Sequence, residues 1–288
     1  VFVLVIGLLI LFDLIGVDKR YVNDEDFVRQ RAMSSPFPET AVDKEIAKDN
    51  SVFRVYNPAE GLNGASTSYY HQSIGGYHAA KPAKMQDLFD FHIYNGNLNV
   101  LNMLNVKYVI QQDEESRSVP AVNPNANGNA WFVEELIKVS NANEEILALK
   151  DLDTKSKAVI NTTKNSSLTN YAFAKDSLAS IVLENYRPNQ LTYQSQNKSK
   201  GFAVFSEMYY ENGWKAYIDG VEKPIYEVNY ALRGLEVPSG DHKIEFKFEP
   251  AVIKKGSTIV LASSLLLGLL ILSALGYSFW STRKSNKE

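Results

Sequence analysis

Cysteine is absent from the 288 residues. That excludes disulfides, zinc-thiolate centres and thiol nucleophiles, and it leaves the compartment open, since extracytoplasmic domains can do without disulfides. A basic stripe is also missing: 30 Lys and Arg stand against 33 Asp and Glu, scattered along the chain, for a formal net charge of -3. The electrostatic footprint of a nucleic-acid binder is therefore lacking, and nucleic acid is excluded as a partner. No cofactor-binding motif stands out, and none is expected.

Long apolar runs are present. Ile259 to Trp280, "IVLASSLLLGLLILSALGYSFW", contains no charge. About 20 helical residues cross a ~30 Å hydrocarbon core, so the run reads as a transmembrane helix. Its Ala, Ser and Gly residues suit packing against other helices in lipid, and Tyr277 and Trp280 sit at an aromatic-belt position followed by Arg283, Lys284 and Lys287. The opening "VFVLVIGLLILFDLIGV" has neither the basic n-region nor the cleavage site of a signal peptide. It reads as a truncated transmembrane helix over residues 1–17. The bulk between the spans is expected outside the cytoplasm, with 281–288 as a cytoplasmic tail.

The intervening sequence changes character twice. Residues 18–129 mix strand-like "VFRVYN" and "VKYVIQ" with helix-like "MQDLFDFHIY" and "LNVLNMLN", an α/β pattern. The stretch "SVPAVNPNANGNA" at 118–130, rich in Pro and Asn, reads as a loop. Then "WFVEELIKVS" is a strand candidate, and "NANEEILALKDL" a short helix with Asn at its N-cap. From about Ser180 the period becomes two, in "SIVLENY", "QLTYQSQ", "GFAVFSEMYY", "WKAYID", "EKPIYEVN", "LRGLEVP" and "HKIEFKF". Short alternating runs at near-regular spacing predict an antiparallel β-sandwich over 130–250, with Asp219-Gly220 as a hairpin turn. The fold class expected is membrane-anchored α+β: a mixed α/β region, then the sandwich, flanked by transmembrane helices.

The run "FSEMYYENGWKAYIDGVEKPIYEVNYALRGLEVPSGDHKIEFKFEP", preceded by "SIGGYHAAKPAKMQDLFD", "LNMLNVKYVI" and "NPNANGNAWFVEE", resembles the C-terminal part of the bacterial YfhO-type membrane proteins. "GWKAYIDG" and "NYALRGLEVPSG" carry the resemblance most specifically. It implies a polytopic protein of the cytoplasmic (inner) membrane, similar to the C-type integral membrane glycosyltransferases. Those take a sugar from a polyprenyl-phosphate carrier and pass it to an acceptor on the outer face, here a cell-envelope glycan. In that class the catalytic acid lies in an early extracytoplasmic loop that this chain does not contain, so no catalytic residue is expected within it.

Candidate substrate contacts concentrate in "STSYYHQSIGGYHAAK": Tyr70, His71, Tyr77, His78 and Lys81 offer aromatic faces for sugar rings and donors for phosphate, and Gly75-Gly76 permits close backbone approach. A tight turn with satisfied polar side chains explains the same composition. Arg233 is a candidate phosphate contact, with an ion pair to Glu227 or Glu236 as the structural alternative. The two histidines do not have helical metal-site spacing, and Asp24 and Asp26 in "NDED" fit a solvated turn or helix start better than a metal site. Trp214, Tyr217, Tyr226 and Tyr230 form either a sugar-stacking face or, as strand aromatics usually do, core. Three functions follow: part of a glycosyltransferase capping its active site, a membrane-anchored carbohydrate-binding or scaffold module without catalysis, or an autonomous metal-dependent transferase using Asp24 and Asp26.

Overall fold

The computed structural model describes residues 2–27 and 29–285. Helix α1 (Phe2–Tyr21) buries none of its residues and carries Lys19 and Arg20 in its last turn. The other α-helices among the described residues are α2 (Gln30–Ser34), α3 (Ala41–Ile46), α4 (Ser66–Tyr70), α5 (Ala83–Leu88), α6 (Leu98–Met103), α7 (Ala142–Ala148) and α8 (Ala251–Ser285), and a π-helical turn, Phe89–Ile93, follows α5. Their starts follow local chemistry. Thr40 and Asp43 make a reciprocal capping box on α3, and Asn141 accepts the Glu144 N–H on α7. "NDED" forms a short helical turn at Asp24–Asp26, closed by Asn23 and Asp26 capping each other.

Strands β1 (Arg54–Tyr56), β2 (Val106–Gln112) and β3 (Ser118–Val122) make a three-stranded sheet in that order, β1 and β2 parallel. The segment 118–130 is therefore not all loop. Its first five residues pair with β2, and Pro120, opposite Ile110, is tolerated because β3 is an edge strand that needs no outward N–H.

The next strands are β4 (Ala130–Val133), β5 (Glu135–Val139), β6 (Lys157–Asn161), β7 (Ser180–Arg187), β8 (Gln190–Asn197), β9 (Gly201–Met208) and β10 (Trp214–Ile218). They are followed by β11 (Val221–Lys223), β12 (Tyr226–Val228), β13 (Leu232–Val237) and β14 (Gly240–Phe248). A five-stranded antiparallel sheet runs β11-β10-β14-β8-β7, and a six-stranded one runs β4-β9-β13-β12-β6-β5, antiparallel except for the β5–β6 pair. Two runs that read as single strands divide between positions. "WFVEELIKVS" breaks at Glu134 into β4 and β5, which lie at opposite edges of one sheet, and "EKPIYEVN" breaks at Pro224, where the chain crosses from the five-stranded to the six-stranded sheet. Proline lacks the N–H that a ladder needs. Asp219 and Gly220, at φ 50° and 82°, close the β10–β11 hairpin as expected.

The two sheets enclose Leu191, Tyr193, Phe205, Ile218, Ile244 and Phe246. The six-stranded sheet is covered on its second face as well: Phe202 and Val204 of β9 join Trp131, Leu136 and Ile160 in one cluster with Leu88, Phe89, Val100 and Leu104. The core thus continues across residues 129 and 130. After β14, only Glu249 and Pro250 separate the sheet from α8. Within α8, Ala251–Tyr277 contains an 18-residue window of mean hydropathy 2.4, none of which is buried, so it is long and apolar enough to cross a bilayer. Among the described residues α8 alone meets that test. Residues 281–285 of the expected tail continue the helix, and 286–288 lie outside the described residues.

Candidate functional site

Residues 66–81 are held against the chain's own backbone. The Val55 N–H donates to Gln72 O (2.8 Å) and the Ile74 N–H to Val55 O (3.2 Å), so the segment after α4 lies beside β1. A Cβ at Gly75 would stand 2.5 Å from Gly61 O, so that glycine serves a close approach to the protein's own turn. Gly76, at φ 143°, donates to Leu62 O (2.9 Å). Tyr70 Oη donates to Phe37 O (2.6 Å), and His71 Nε2 lies 3.0 Å from Asp43 Oδ1 with both side chains buried. Burial works against the Asp43 carboxylate, but the Thr40 and His71 hydrogen bonds outweigh it and hold its pKa below the usual value. Lys81 Nζ donates to Leu62 O (2.8 Å) and Asn63 Oδ1 (2.6 Å). Tyr77, 84 % exposed, and His78 project into solvent. The structure therefore leaves Tyr77 and His78 free, ties Lys81, and gives Tyr70 and His71 internal partners.

Arg233 lies elsewhere, between the two sheets. The β9–β13 register shifts beside it, and such bulges re-aim side chains. It is 3 % exposed; its Nε donates to Met208 O (2.9 Å), and its guanidinium carbon stands 4.1 Å from the Trp214 ring centre and 5.3 Å from that of Phe246. Arg54 approaches the same strand, donating to Leu104 O (3.0 Å) and Ser206 O (2.5 Å) and pairing with Glu207 (2.9 Å). Glu207 is also the principal charge supporting Arg233, whose pKa burial lowers to about 10. Glu207 thus pairs with Arg54 while its charge also favours the Arg233 cation, and Arg233 Nη1 and Tyr193 Oη are buried without a partner. Neither anticipated partner serves: Glu227 pairs with Lys84 and Lys164, and Glu236 with Lys200.

The sequence reading passed over a second charged cluster. Glu145 on α7 is fully buried, accepts the Tyr230 N–H (3.0 Å) on Oε1, and leaves Oε2 unpartnered. Burial raises its pKa. Glu227 on β12 holds Lys84 and, at 3.1 Å, Lys164. Burial, then repulsion from Lys164, lowers the Lys84 pKa to about 8. Tyr230 Oη donates to Asp87 Oδ2 (2.6 Å), and burial with that carboxylate raises its pKa to about 12. The available signal was the "NYA" turn: Asn229 and Tyr230 both have positive φ, which non-glycine residues adopt under compulsion from surrounding contacts. Tyr226 is buried in the core, as strand aromatics usually are, whereas Trp214 is half-buried. Asn161, Asn165 and Asn197, each of which opens an Asn-x-Ser/Thr tripeptide, are buried.

An open groove of about 680 Å³ lies at the root of α8, between the β9–β10 turn and the end of β14. Tyr210, Trp214, Glu249 and Lys255 line it, with Glu211 and Asn212 on the turn. Tyr210 is 55 % exposed, and Lys215 is taken up by Glu222 at 3.1 Å. Trp214 separates this groove from the buried guanidinium of Arg233.

Residues 137–260 match the family model of the bacterial membrane protein YfhO, a span from β5 through the first turns of α8. No curated protein and no solved structure matches the chain.

Proposed function

We propose that this chain, YfhO-type over residues 137–260, is the C-terminal part of a polytopic membrane glycosyltransferase using a polyprenyl-phosphate-linked sugar, and that its body holds substrate at the outer face of the cytoplasmic membrane. The observation that carries the reading is the groove at the root of α8. A polyprenyl carrier keeps its tail in lipid and its sugar at head-group level, and a groove lined by the first residues of a helix long enough to span the membrane opens at that level. Tyr210 and Trp214 offer ring faces, Glu249 accepts from hydroxyls and Lys255 supplies a cation for phosphate. Tyr77 and His78 form the exposed part of a second contact, on the segment closed by Lys81. The bond-breaking acid belongs to another part of the full-length protein, and the acceptor is a cell-envelope glycan.

The test uses the full-length protein and follows labelled sugar from a polyprenyl-phosphate donor into the envelope, normalised to protein level. Tyr210→Ala should lower transfer about tenfold, the ratio given by ~1.4 kcal/mol of lost stacking. Tyr77→Ala and His78→Ala should lower it less, with abundance unchanged in all three. Unchanged specific transfer in every variant would reduce the body to a carbohydrate-binding or scaffold module.

A further inference from the structure

The "NPNANGN" segment has no role in the reading above, yet it walls a separate pocket of about 350 Å³ between α6, residues 124–127 and the turn at Asp153–Lys155. That volume is within the range of small-molecule sites, ~300–1,000 Å³. The wall is built rigidly. Thr154, 1 % exposed, donates from Oγ1 to Asn99 O (3.1 Å), while its carbonyl accepts from Asn127 Nδ2 (3.1 Å) and Trp131 Nε1 (2.8 Å). The Asn127 N–H donates to Asn102 O (2.9 Å), and Asn123 Nδ2 donates to Asn102 Oδ1 (2.8 Å). Buried amides thus fix the loop against α6 and the 153–155 turn.

What this frame presents is polar and uncommitted. Asn99 and Asn125 line the pocket, and their side-chain amides make no hydrogen bond among the described residues. Asp153 accepts from Ser156 Oγ (2.6 Å) and Lys155 N (3.1 Å) and keeps further lone pairs, and Lys155 Nζ donates to Asn127 O (3.2 Å) and keeps two protons. The pocket's formal charges, one Asp and one Lys, cancel. Pro124 and Ala126 are its small apolar patch, and no aromatic ring lines it.

We infer that this pocket binds a neutral sugar unit of a glycan through the side-chain amides of Asn99 and Asn125, with Asp153 and Lys155 completing the hydroxyl contacts. Each amide carries a donor and an acceptor in one plane, which matches neighbouring hydroxyls that each donate and accept. Cancelling charges favour a neutral ligand over a phosphate or a sugar acid, and the sparse apolar surface disfavours a hydrophobic one. The pocket also lies toward one particular end of the fold. Ala130 of β4 pairs with Phe205, and the Ser206 N–H donates to Asn129 O (3.0 Å), so the loop is tied to the bulged end of β9, the end where Arg233 stacks on Trp214 beside the α8 groove.

The experiment presents the purified full-length protein in nanodiscs to an array of immobilised neutral and acidic glycans. Wild type should be retained on neutral glycans. The Asn99→Ala, Asn125→Ala double variant should lose about thirtyfold in binding, as two hydrogen bonds of ~1 kcal/mol each imply. Its thermal midpoint should stay at the wild-type value, because neither side chain has a hydrogen-bond partner among the described residues. Tyr210→Ala should keep array binding even where sugar transfer falls, which separates this pocket from the groove reading. Retention on acidic glycans alone, no retention on any neutral glycan, or undiminished binding by the double variant would each overturn the assignment. So would loss of binding in Tyr210→Ala with the double variant intact, which would place the sugar in the groove.

Discussion

The six-stranded sheet is buried on both faces, and the faces are closed by different means. Along β9, Ala203 and Phe205 point into the space between the sheets, whereas Phe202 and Val204 point the other way, toward α5 and α6. The inner face meets Leu191, Tyr193, Ile218, Ile244 and Phe246, all supplied by neighbouring hairpins. The outer face gathers residues from Tyr56 to Leu232 and is accompanied by buried carboxylates, Glu145 and Glu227, that reach helices and loops far away in sequence. Apolar contact is non-directional, so the inner face gains stability from area and ring packing. The charged contacts demand geometry, and they fix how the helical layer sits on the sheet. One face is closed by bulk and the other is keyed.

The largest effect should come from the inner face. Phe246 is fully buried, with its ring centre 4.8 Å from Phe205 and 6.1 Å from Tyr193, both edge-on. Phe246→Ala removes that packing together with one of the two rings over Arg233, and should cost about 3–5 kcal/mol. Chemical unfolding of the detergent-solubilised protein measures it; a loss under 1 kcal/mol would mean that the sheets do not close on this ring.

A smaller loss should come from the key. Glu227→Ala leaves Lys84 and Lys164 facing each other without their shared carboxylate, and Lys84 is already held at about 8. Unpairing a fully buried charge costs ~3–5 kcal/mol; because these lysine side chains are 31 % and 47 % exposed, water screens part of it, and about 1–3 kcal/mol is expected. Lys84→Met in the Glu227→Ala background should recover part of that loss, as removing both charges relieves the repulsion. No recovery in the double variant would show that the cluster does not act as a charged unit.

This contrast also explains what the sequence disclosed. The sandwich was legible because its inner face comes from consecutive strands whose side chains alternate, as in β14, where Ile244 and Phe246 are buried and Lys243 is exposed. The hairpin at Asp219-Gly220 was legible because positive φ at both positions needs that residue pair. The two breaks at Glu134 and Pro224 were not, since an alternating run does not say when the chain changes sheet or edge. Of the candidate contacts, composition identified a polar, aromatic segment but could not tell Tyr77 and His78, which are exposed, from Tyr70 and His71, whose partners Phe37 and Asp43 lie some thirty positions upstream. The Glu145 and Glu227 cluster was hidden for the same reason: nothing in "NEEIL" reports that its second carboxylate meets the "NYA" turn.

The smallest effect contrasts an exposed charge pair with that buried key. His242 Nδ1 lies 2.6 Å from Asp219 Oδ2, at the turn where the Asp219 carboxylate also accepts the Lys243 N–H (2.9 Å). The hydrogen bond to Asp219 raises the His242 pKa above 6.5 against the opposing effect of burial, and the same bond lowers that of Asp219. The folded state therefore holds the His242 proton more tightly than the unfolded chain does. The contribution from His242 is complete below pH 6.5 and disappears as the pH rises through its raised folded value; that from Asp219 is complete above its unfolded pKa and is lost in acid. Asp219 is 52 % exposed on its side chain, so water screens the pair and the gain stays below about 1 kcal/mol. His242→Ala should accordingly lower the thermal midpoint more at pH 5.5 than at pH 8.5. A deficit equal at both values, or larger in alkali, would show that the imidazole acts there through packing and its contact with Ser239 O rather than through its charge.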